Sequence, residues 1–190
     1  LKGMFYSNFY HSLIKPSYIG KESVLGVEGE LACDLATLWD QYKTLYPLIF
    51  ALYPEMSERL VATVKTISEA WNKIPCSFGL SSILPCEEQA KMLGIFLLLD
   101  AYSMGVKGAD INTLETCIER ELARDDFKVF LENGTFERYT HILATVDACA
   151  AVADITKNKG LKAKLERLAE NIKKRAPLVA LEYKEKLKAR

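Results

Sequence analysis

Apolar residues recur three and four positions apart along almost the whole chain, and this pattern constrains the fold more than any other feature. It predicts helices over residues 3–15, 35–52, 55–72, 86–104, 110–123, 137–156 and 160–175, with a last helical segment at 178–188. A loop at 17–33 contains three glycines and is expected to hold at most one short strand, at 23–27. The pattern therefore predicts an all-α fold, built as an array of antiparallel helical hairpins.

Local signals predict where several of these helices bend, end or begin. Pro47 lies inside the second helical pattern and is expected to kink that helix, because proline has no amide proton. Gly105 and Gly108 are placed to end the fourth helix, and Asp110 is placed to cap the next one. Residues 158–160 should separate the two helices of the last hairpin. No composition shift marks a boundary, so we expect one helical domain over residues 1–190.

The charge balance argues against two classes of partner. The 25 basic and 25 acidic residues cancel, so no global field favours nucleic acid or an anionic membrane. The longest apolar run, at 94–99, is far shorter than the roughly 20 residues that a membrane-spanning helix needs. The carboxyl end is locally basic, but glutamates are interleaved there at helical spacing, which is typical of a solvated helix face. Neither nucleic acid nor membrane is expected to bind.

The cysteines favour buried thiols over a metal site. No two of the five have the short spacing of a zinc site, so no metal ligand is predicted from them. Cys117 and Cys149 lie in helical apolar patterns and should be buried. Cys76 and Cys86 flank a short loop, where they either pair or stay reduced. Reduced thiols are the default.

Residues 38–47 read Leu-Trp-Asp-Gln-Tyr-Lys-Thr-Leu-Tyr-Pro and form the most informative motif. Trp39 and Asp40 lie side by side at the edge of the apolar face of the predicted helix. An indole ring can cover the apolar C–H groups of a sugar while a neighbouring carboxylate accepts hydroxyl protons. The other interpretation is a core tryptophan beside a surface or capping aspartate. The dipeptide alone leaves both open.

The same decapeptide resembles the signature Leu-Trp-Asp-x-Tyr-Arg-x-x-His-Pro of glycoside hydrolase family 92, the α-mannosidases. Residues 5–16, Phe-Tyr-Ser-Asn-Phe-Tyr-His-Ser-Leu-Ile-Lys-Pro, are similar to the family's Phe-Tyr-x-x-Leu-Tyr-His-x-Leu-x-x-Pro helix. Residues 100–106, Asp-Ala-Tyr-Ser-Met-Gly-Val, look like its Asp-Ala-Tyr-x-Lys-Gly-Ile, and residues 53–55 and 124–126 also have counterparts. Order and rough spacing match from residue 3 to about residue 175.

The catalytic motifs of the resembled family are only partly kept. Its general acid is the glutamate of Leu-Pro-x-Trp-Glu-Leu, whereas residues 74–80 here read Ile-Pro-Cys-Ser-Phe-Gly-Leu and hold no carboxylate. Its calcium-associated Asn-Glu-Thr-x-Cys-Met-Ile-Gly-x-His corresponds to Ile-Leu-Pro-Cys-Glu-Glu-Gln-Ala-Lys-Met at 83–92, so the cofactor of this chain is left unassigned. Of the acidic pair that carries the base, Asp147 remains. Glu87 or Glu88 would replace the acid only if the alignment slips by several residues, and first-turn helix chemistry explains them more simply.

The resemblance implies an (α/α)6 toroid, of which eight helices make only a part or a reduced version. Family enzymes complete the pocket with a β-sandwich, so the expected partners are a carbohydrate and either a second copy of the chain or a missing β-sandwich domain. Exposed seams are expected at residues 50–53 and 95–97. No signal sequence is visible at the amino end. The chain does not begin with methionine, so we expect a processed, excised or trimmed fragment. Its parent is expected to be periplasmic or secreted if it follows the family.

Two functions from different classes follow. The first is an α-mannosidase-like glycoside hydrolase domain in which Trp39 and Asp40 bind sugar and Asp147 is the remaining catalytic base; without the general acid it is expected to be inactive as an isolated chain. The alternative is a non-catalytic helical scaffold or protein-interaction domain.

Overall fold

The computed structural model describes residues 1–18, 20, 27–29, 31–33, 38–74, 92–124 and 139–188. Within these ranges the chain forms eight helices and one minimal strand pair. The helices are α1 (Lys2–Ser12), α2 (Leu38–Gln41), α3 (Leu45–Leu52), α4 (Pro54–Trp71), α5 (Leu93–Ser103), α6 (Ile111–Leu122), α7 (Tyr139–Ile155) and α8 (Lys159–Lys188). The strands are β1 (Ser17–Tyr18) and β2 (Ala32–Cys33). The predicted all-α class is confirmed.

The strand pair fastens the loop between α1 and α2 onto α4. β1 and β2 are antiparallel, with Ser17 opposite Cys33 and Tyr18 opposite Ala32. The amide of Ala32 donates to Thr63 Oγ1 at 2.8 Å, and the guanidinium of Arg59 lies 3.9 Å from the centre of the Tyr18 ring. The pairing therefore falls outside the strand predicted at 23–27, of which only Val27 belongs to the described residues.

The helix predicted over 35–52 is two helices, and the predicted kink at Pro47 is wrong. α2 ends at Gln41, residues 42–44 form a turn, and Pro47 lies in the first turn of α3. In a continuous helix the ring of Pro47 would collide with the carbonyl of Lys43, four residues earlier. In the first turn of a new helix its missing amide proton has no partner to lose. The chain therefore breaks before the proline and does not bend at it.

The last two helical segments are one helix, which corrects the predicted separation at residues 176–177. α8 continues through Pro177. The proline removes one backbone hydrogen bond, to the carbonyl of the exposed Lys173, where water can replace it. Strong helix formers on both sides favour continuation of the helix.

α5 is the central helix of the body. It packs against α2, α3, α4, α6 and α7. α7 also packs against α6 and forms a closely packed hairpin with α8. The buried residues of α5 include Leu93, Ile95, Leu97, Leu98 and Ala101. The surrounding helices contribute the remaining large core side chains, among them Tyr46, Ile49, Leu60, Ile67, Leu114, Ile118, Val152 and Leu165.

α4 and α6 run side by side in the same direction. Contacts between them and their flanking residues advance together along both segments: Glu58 meets Lys107, Ser68 meets Arg120, and the amide of Ile74 donates to the carboxylate of Glu121. The short connection from α5 to α6 makes those two neighbours antiparallel. Parallel helices on either side of an antiparallel one are the arrangement that alternating inner and outer helices of a toroid produce.

The predicted helix ends are largely confirmed. Asp110 Oδ1 accepts the amide of Thr113 at 2.8 Å and caps α6. Gly105 adopts φ +73° after the last turn of α5, where the amide of Val106 bonds to the carbonyl of Ala101 at 2.9 Å. Asn158 caps α8 through its side-chain oxygen, 3.1 Å from the amides of Gly160 and Leu161.

The exposed apolar surface lies mainly where the sequence did not predict it. Phe50, Ile95 and Leu97 are buried in the body, so three positions of the predicted seam are wrong, while Leu52 and Tyr53 are exposed. α1 buries none of its residues. Its exposed large side chains are Met4, Phe5, Tyr6 and Tyr10, each with more than half of its surface accessible.

No helix among the described residues is both long and apolar enough to cross a membrane.

Candidate functional site on the surface of α2 and α5

The short helix α2 holds Trp39 and Asp40 at the surface. Leu38 is fully buried and anchors the helix, whereas Trp39 is 43% exposed and Asp40 is exposed. The amide of Tyr42 still bonds to the carbonyl of Leu38 at 2.8 Å, so one further residue keeps helical geometry before the turn. The indole is therefore available to a ligand, and the interpretation of Trp39 as a fully buried core residue is wrong.

Tyr42 and Lys43 connect the end of α2 to α5. Both lie in the turn that follows α2. The ammonium of Lys43 lies 5.4 Å from the centre of the Tyr42 ring, and Tyr42 in turn contacts Phe96 of α5, with ring centres 5.8 Å apart. These contacts fix the end of α2 against α5.

Asp100 of α5 is electrostatically coupled to Lys43. Partial burial raises the pKa of the Asp100 carboxyl above its ordinary value, and the positive charge of Lys43 acts in the opposite direction. We call Trp39, Asp40, Lys43 and Asp100 the α2–α5 surface. It combines an exposed ring, two carboxyl groups and one ammonium, which are the groups that cover sugar C–H bonds and that accept and donate hydroxyl hydrogen bonds.

Asp147, the predicted base, lies on another element. It is exposed on α7, while its neighbours Val146, Ala148 and Cys149 are buried. α5 packs against both α2 and α7. The structure thus holds Trp39 and Asp40 on one short helix and Asp147 on another helix that packs against α5. The part of Asp147 in a common site stays a prediction.

Several predicted features fall outside the described residues. These are positions 75–80 of the stretch that corresponds to the general acid, most of the calcium-associated stretch, Glu87 and Glu88, and the pair Cys76 and Cys86. Within the described ranges no three His, Cys, Asp or Glu side chains converge as a metal site would require.

Both described predicted thiols are buried. Cys117 and Cys149 are free cysteines with almost no exposed surface. Burial raises the pKa of Cys149 to about 12, so this thiol stays protonated and unreactive near neutral pH. The prediction of buried thiols is confirmed for these two residues.

Sequence reasoning missed Lys43, Asp100 and Glu121. Lys43 lies in the turn after α2, where helical spacing gives no signal for it. Asp100 is the first charged residue after a long apolar run. Glu121 is 1% exposed and accepts from the amide of Ile74, the last described residue before the stretch that corresponds to the general acid. The sequence feature that could have revealed Glu121 is its position in the apolar stripe of α6, four residues after Cys117 and three after Ile118.

Comparison with known proteins identifies the family of the chain and agrees with its all-α fold. The model of the glycosyl hydrolase family 92 catalytic domain matches residues 1–156. The chain belongs to glycosyl hydrolase family 92. Its fold also resembles that of a solved family 92 inverting mannosidase from Bacteroides thetaiotaomicron, with a TM-score of 0.63 and 17% sequence identity. No curated protein sequence matches significantly.

The match to the solved mannosidase covers 93% of this chain and 27% of that chain. This family 92 chain therefore spans about a quarter of the length of the solved relative. Its all-α body corresponds to part of the (α/α)6 toroid of the family.

Proposed function

We propose that this chain is a single helical domain, part of a family 92 catalytic toroid, that binds a terminal mannose-like sugar at the α2–α5 surface and does not hydrolyse it alone. The observation that supports binding is the exposure of the Trp39 indole beside Asp40. A ring left 43% exposed on a helix whose neighbouring Leu38 is fully buried is available for stacking on a sugar face.

The polar groups of the surface complement the ring. Asp40 and Asp100 supply acceptors and Lys43 supplies a donor, so sugar hydroxyls can be bonded from two directions. Partial burial raises the pKa of Asp100, and the charge of Lys43 opposes this effect.

The proposed lack of hydrolysis follows from the carboxyl groups that remain. Inversion requires one carboxylic acid at the leaving oxygen and one carboxylate that activates water, roughly 6.5–9.5 Å apart. Residues 74–80 hold no carboxylate, and Asp147 supplies only the base. General acid assistance is worth about 10²–10⁴-fold, so its loss leaves binding without useful turnover.

Calcium enters the proposal only through the family. The described residues do not assemble a site for it, and most of the corresponding stretch lies outside them. No catalytic step is therefore assigned to a metal, and the hydrolysis assay is run both with and without calcium.

Binding is tested by saturation-transfer NMR with methyl α-mannoside. Trp39→Ala should weaken binding by at least about tenfold, equivalent to about 1.4 kcal/mol. Trp71→Phe is the matched control, because it changes the other tryptophan, at the end of α4. Equal binding by wild type and Trp39→Ala contradicts the assignment of the ring.

Hydrolysis is tested with aryl α-mannosides, with and without calcium. We expect no release above background from the isolated chain. Calcium-dependent release that Asp147→Asn abolishes would show that the acid lies elsewhere, and Glu87→Gln and Glu88→Gln would then locate it.

The alternative is a non-catalytic interaction domain. It is favoured by α1, whose aromatic side chains are exposed to solvent and not buried against other described residues. Absence of sugar binding together with concentration-dependent association would support it over the sugar-binding proposal.

A further inference from the structure

A polar groove lies between the parallel helices α4 and α6, with α5 beneath them in the body. Its volume is about 280 Å³. The floor is made by Thr113 and Cys117, whose small side chains leave the space open. The walls are Lys65 and Glu69 from α4 and, from α6 and its cap, Asp110, Asn112, Thr116 and Arg120. None of these residues belongs to the α2–α5 surface.

Hydrogen bonds within the protein hold two polar groups of the walls in place. Arg120 Nη1 donates to the buried Ser68 Oγ at 2.8 Å, which fixes the guanidinium while its other N–H groups remain as donors. Asp110 Oδ1 accepts from the amide of Thr113, and this bond lowers the pKa of the carboxyl. Asp110 therefore remains an ionised acceptor.

The walls carry two cations, Lys65 and Arg120, and two carboxylates, Glu69 and Asp110. Lys65 acts electrostatically on Asp110. The four charged groups leave the walls without net charge, and Asn112 and Thr116 add neutral groups that donate and accept.

We propose that this groove binds one neutral, polyhydroxylated ring, a single sugar residue, at a site separate from Trp39. A ring with hydroxyls on every side finds donors and acceptors on both helices. The two cations and two carboxylates leave the walls without net charge, which favours a neutral ligand over an inorganic anion. The volume is near the lower limit of ligand pockets, about 300 Å³, and suits one ring better than a chain of them.

The test is a titration of the ¹⁵N-labelled chain with methyl α-mannoside, followed by amide chemical shifts. We expect saturable shifts at Asn112, Thr113 and Thr116 in the millimolar range. Lys65→Met and Glu69→Ala should each raise the dissociation constant about tenfold, because each removes a charge-assisted hydrogen bond. Glu119→Ala, an exposed change on α6 outside the groove, is the matched control and should leave the constant unchanged.

Two further arms separate this site from other possibilities. With the sugar added, Trp39→Ala should abolish the amide shift changes on α2 and keep those on α6. The titration therefore distinguishes loss of binding at the α2–α5 surface from loss of binding in the groove. Inorganic phosphate and glycine are the competing probes. Shifts at the three α6 amides that are as large with either probe as with the sugar would overturn the proposal. Unmoved amides with the sugar into the tens of millimolar would also overturn it.

Discussion

The buried carboxylate of Glu121 should be a main determinant of stability in this chain. It is 1% exposed, accepts from the amide of the buried Ile74, and pairs with Arg124 Nη1 at 3.3 Å. The bond to Ile74 joins α6 to a residue 47 positions earlier, at the exit from α4. The perturbation that tests this role is Glu121→Ala, compared with Glu121→Gln.

The expected loss of stability comes from two groups that bond to Glu121, the amide of Ile74 and the guanidinium of Arg124. Glu121→Ala leaves a buried amide unsatisfied, which costs about 1–3 kcal/mol. It also leaves Arg124, whose side chain is 15% exposed, without its carboxylate. Breaking a fully buried ion pair costs about 3–5 kcal/mol, and partial access of Arg124 to water reduces this. We expect a total of about 3–4 kcal/mol for alanine. Glutamine can still accept from Ile74, so Glu121→Gln should cost about 1–2 kcal/mol.

The assay is urea unfolding followed by helical circular dichroism, with the free energy of unfolding obtained by linear extrapolation. Glu119→Ala, an exposed neighbour on α6, is the control and should change stability by less than about 0.5 kcal/mol. If Glu121→Ala also falls within about 0.5 kcal/mol of wild type, the bond between α6 and Ile74 does not stabilise the fold and the reasoning is refuted.

Three other predictions follow from the described contacts. Asp110→Ala should lower the free energy of unfolding by about 1 kcal/mol through loss of the α6 cap. Because the folded pKa of Asp110 is lowered, the stability from the cap is present above the ordinary aspartate pKa and is lost as pH falls through the folded pKa. A cost of the substitution that does not change with pH would contradict this prediction. Tyr46→Phe should cost about 1 kcal/mol, since it removes the 2.8 Å bond from the fully buried phenol to Gln41 Oε1, and thermal melting of the variant measures it. The isolated chain should self-associate through the exposed apolar side chains of α1, as measured by light scattering over a dilution series. The double substitution of Phe5→Ser and Tyr10→Ser should abolish this association, whereas Leu178→Ser on α8 should not. A strictly monomeric wild type would contradict the prediction.

The candidate site was partly predictable from sequence for a local reason. Trp39 and Asp40 are adjacent, so any helix that buries Leu38 places them together at its edge. Lys43 and Asp100 could not have been found in this way. Lys43 lies in the turn after α2, and its effect on Asp100 depends on how α5 packs against α2, about which their sequence separation carries no information.

The helices themselves were determined by the sequence, because helical hydrogen bonds are local and the apolar spacing marks the face that each helix buries. Caps such as Asp110 and Asn158 were predictable for the same reason: each bonds amides two or three residues away. The helix break before Pro47 required a steric argument over four residues. It could have been made from sequence.

Only the tertiary structure decided which apolar faces are covered. Phe50, Ile95 and Leu97 look no more buried in the sequence than the aromatic residues of α1, yet the first three lie in the core and α1 buries nothing. Glu121 shows the same limit, since a carboxylate in an apolar stripe is tolerated only because Ile74 and Arg124 meet it. Burial depends on contacts between residues far apart in sequence, and those contacts form only when the whole array of helices is assembled.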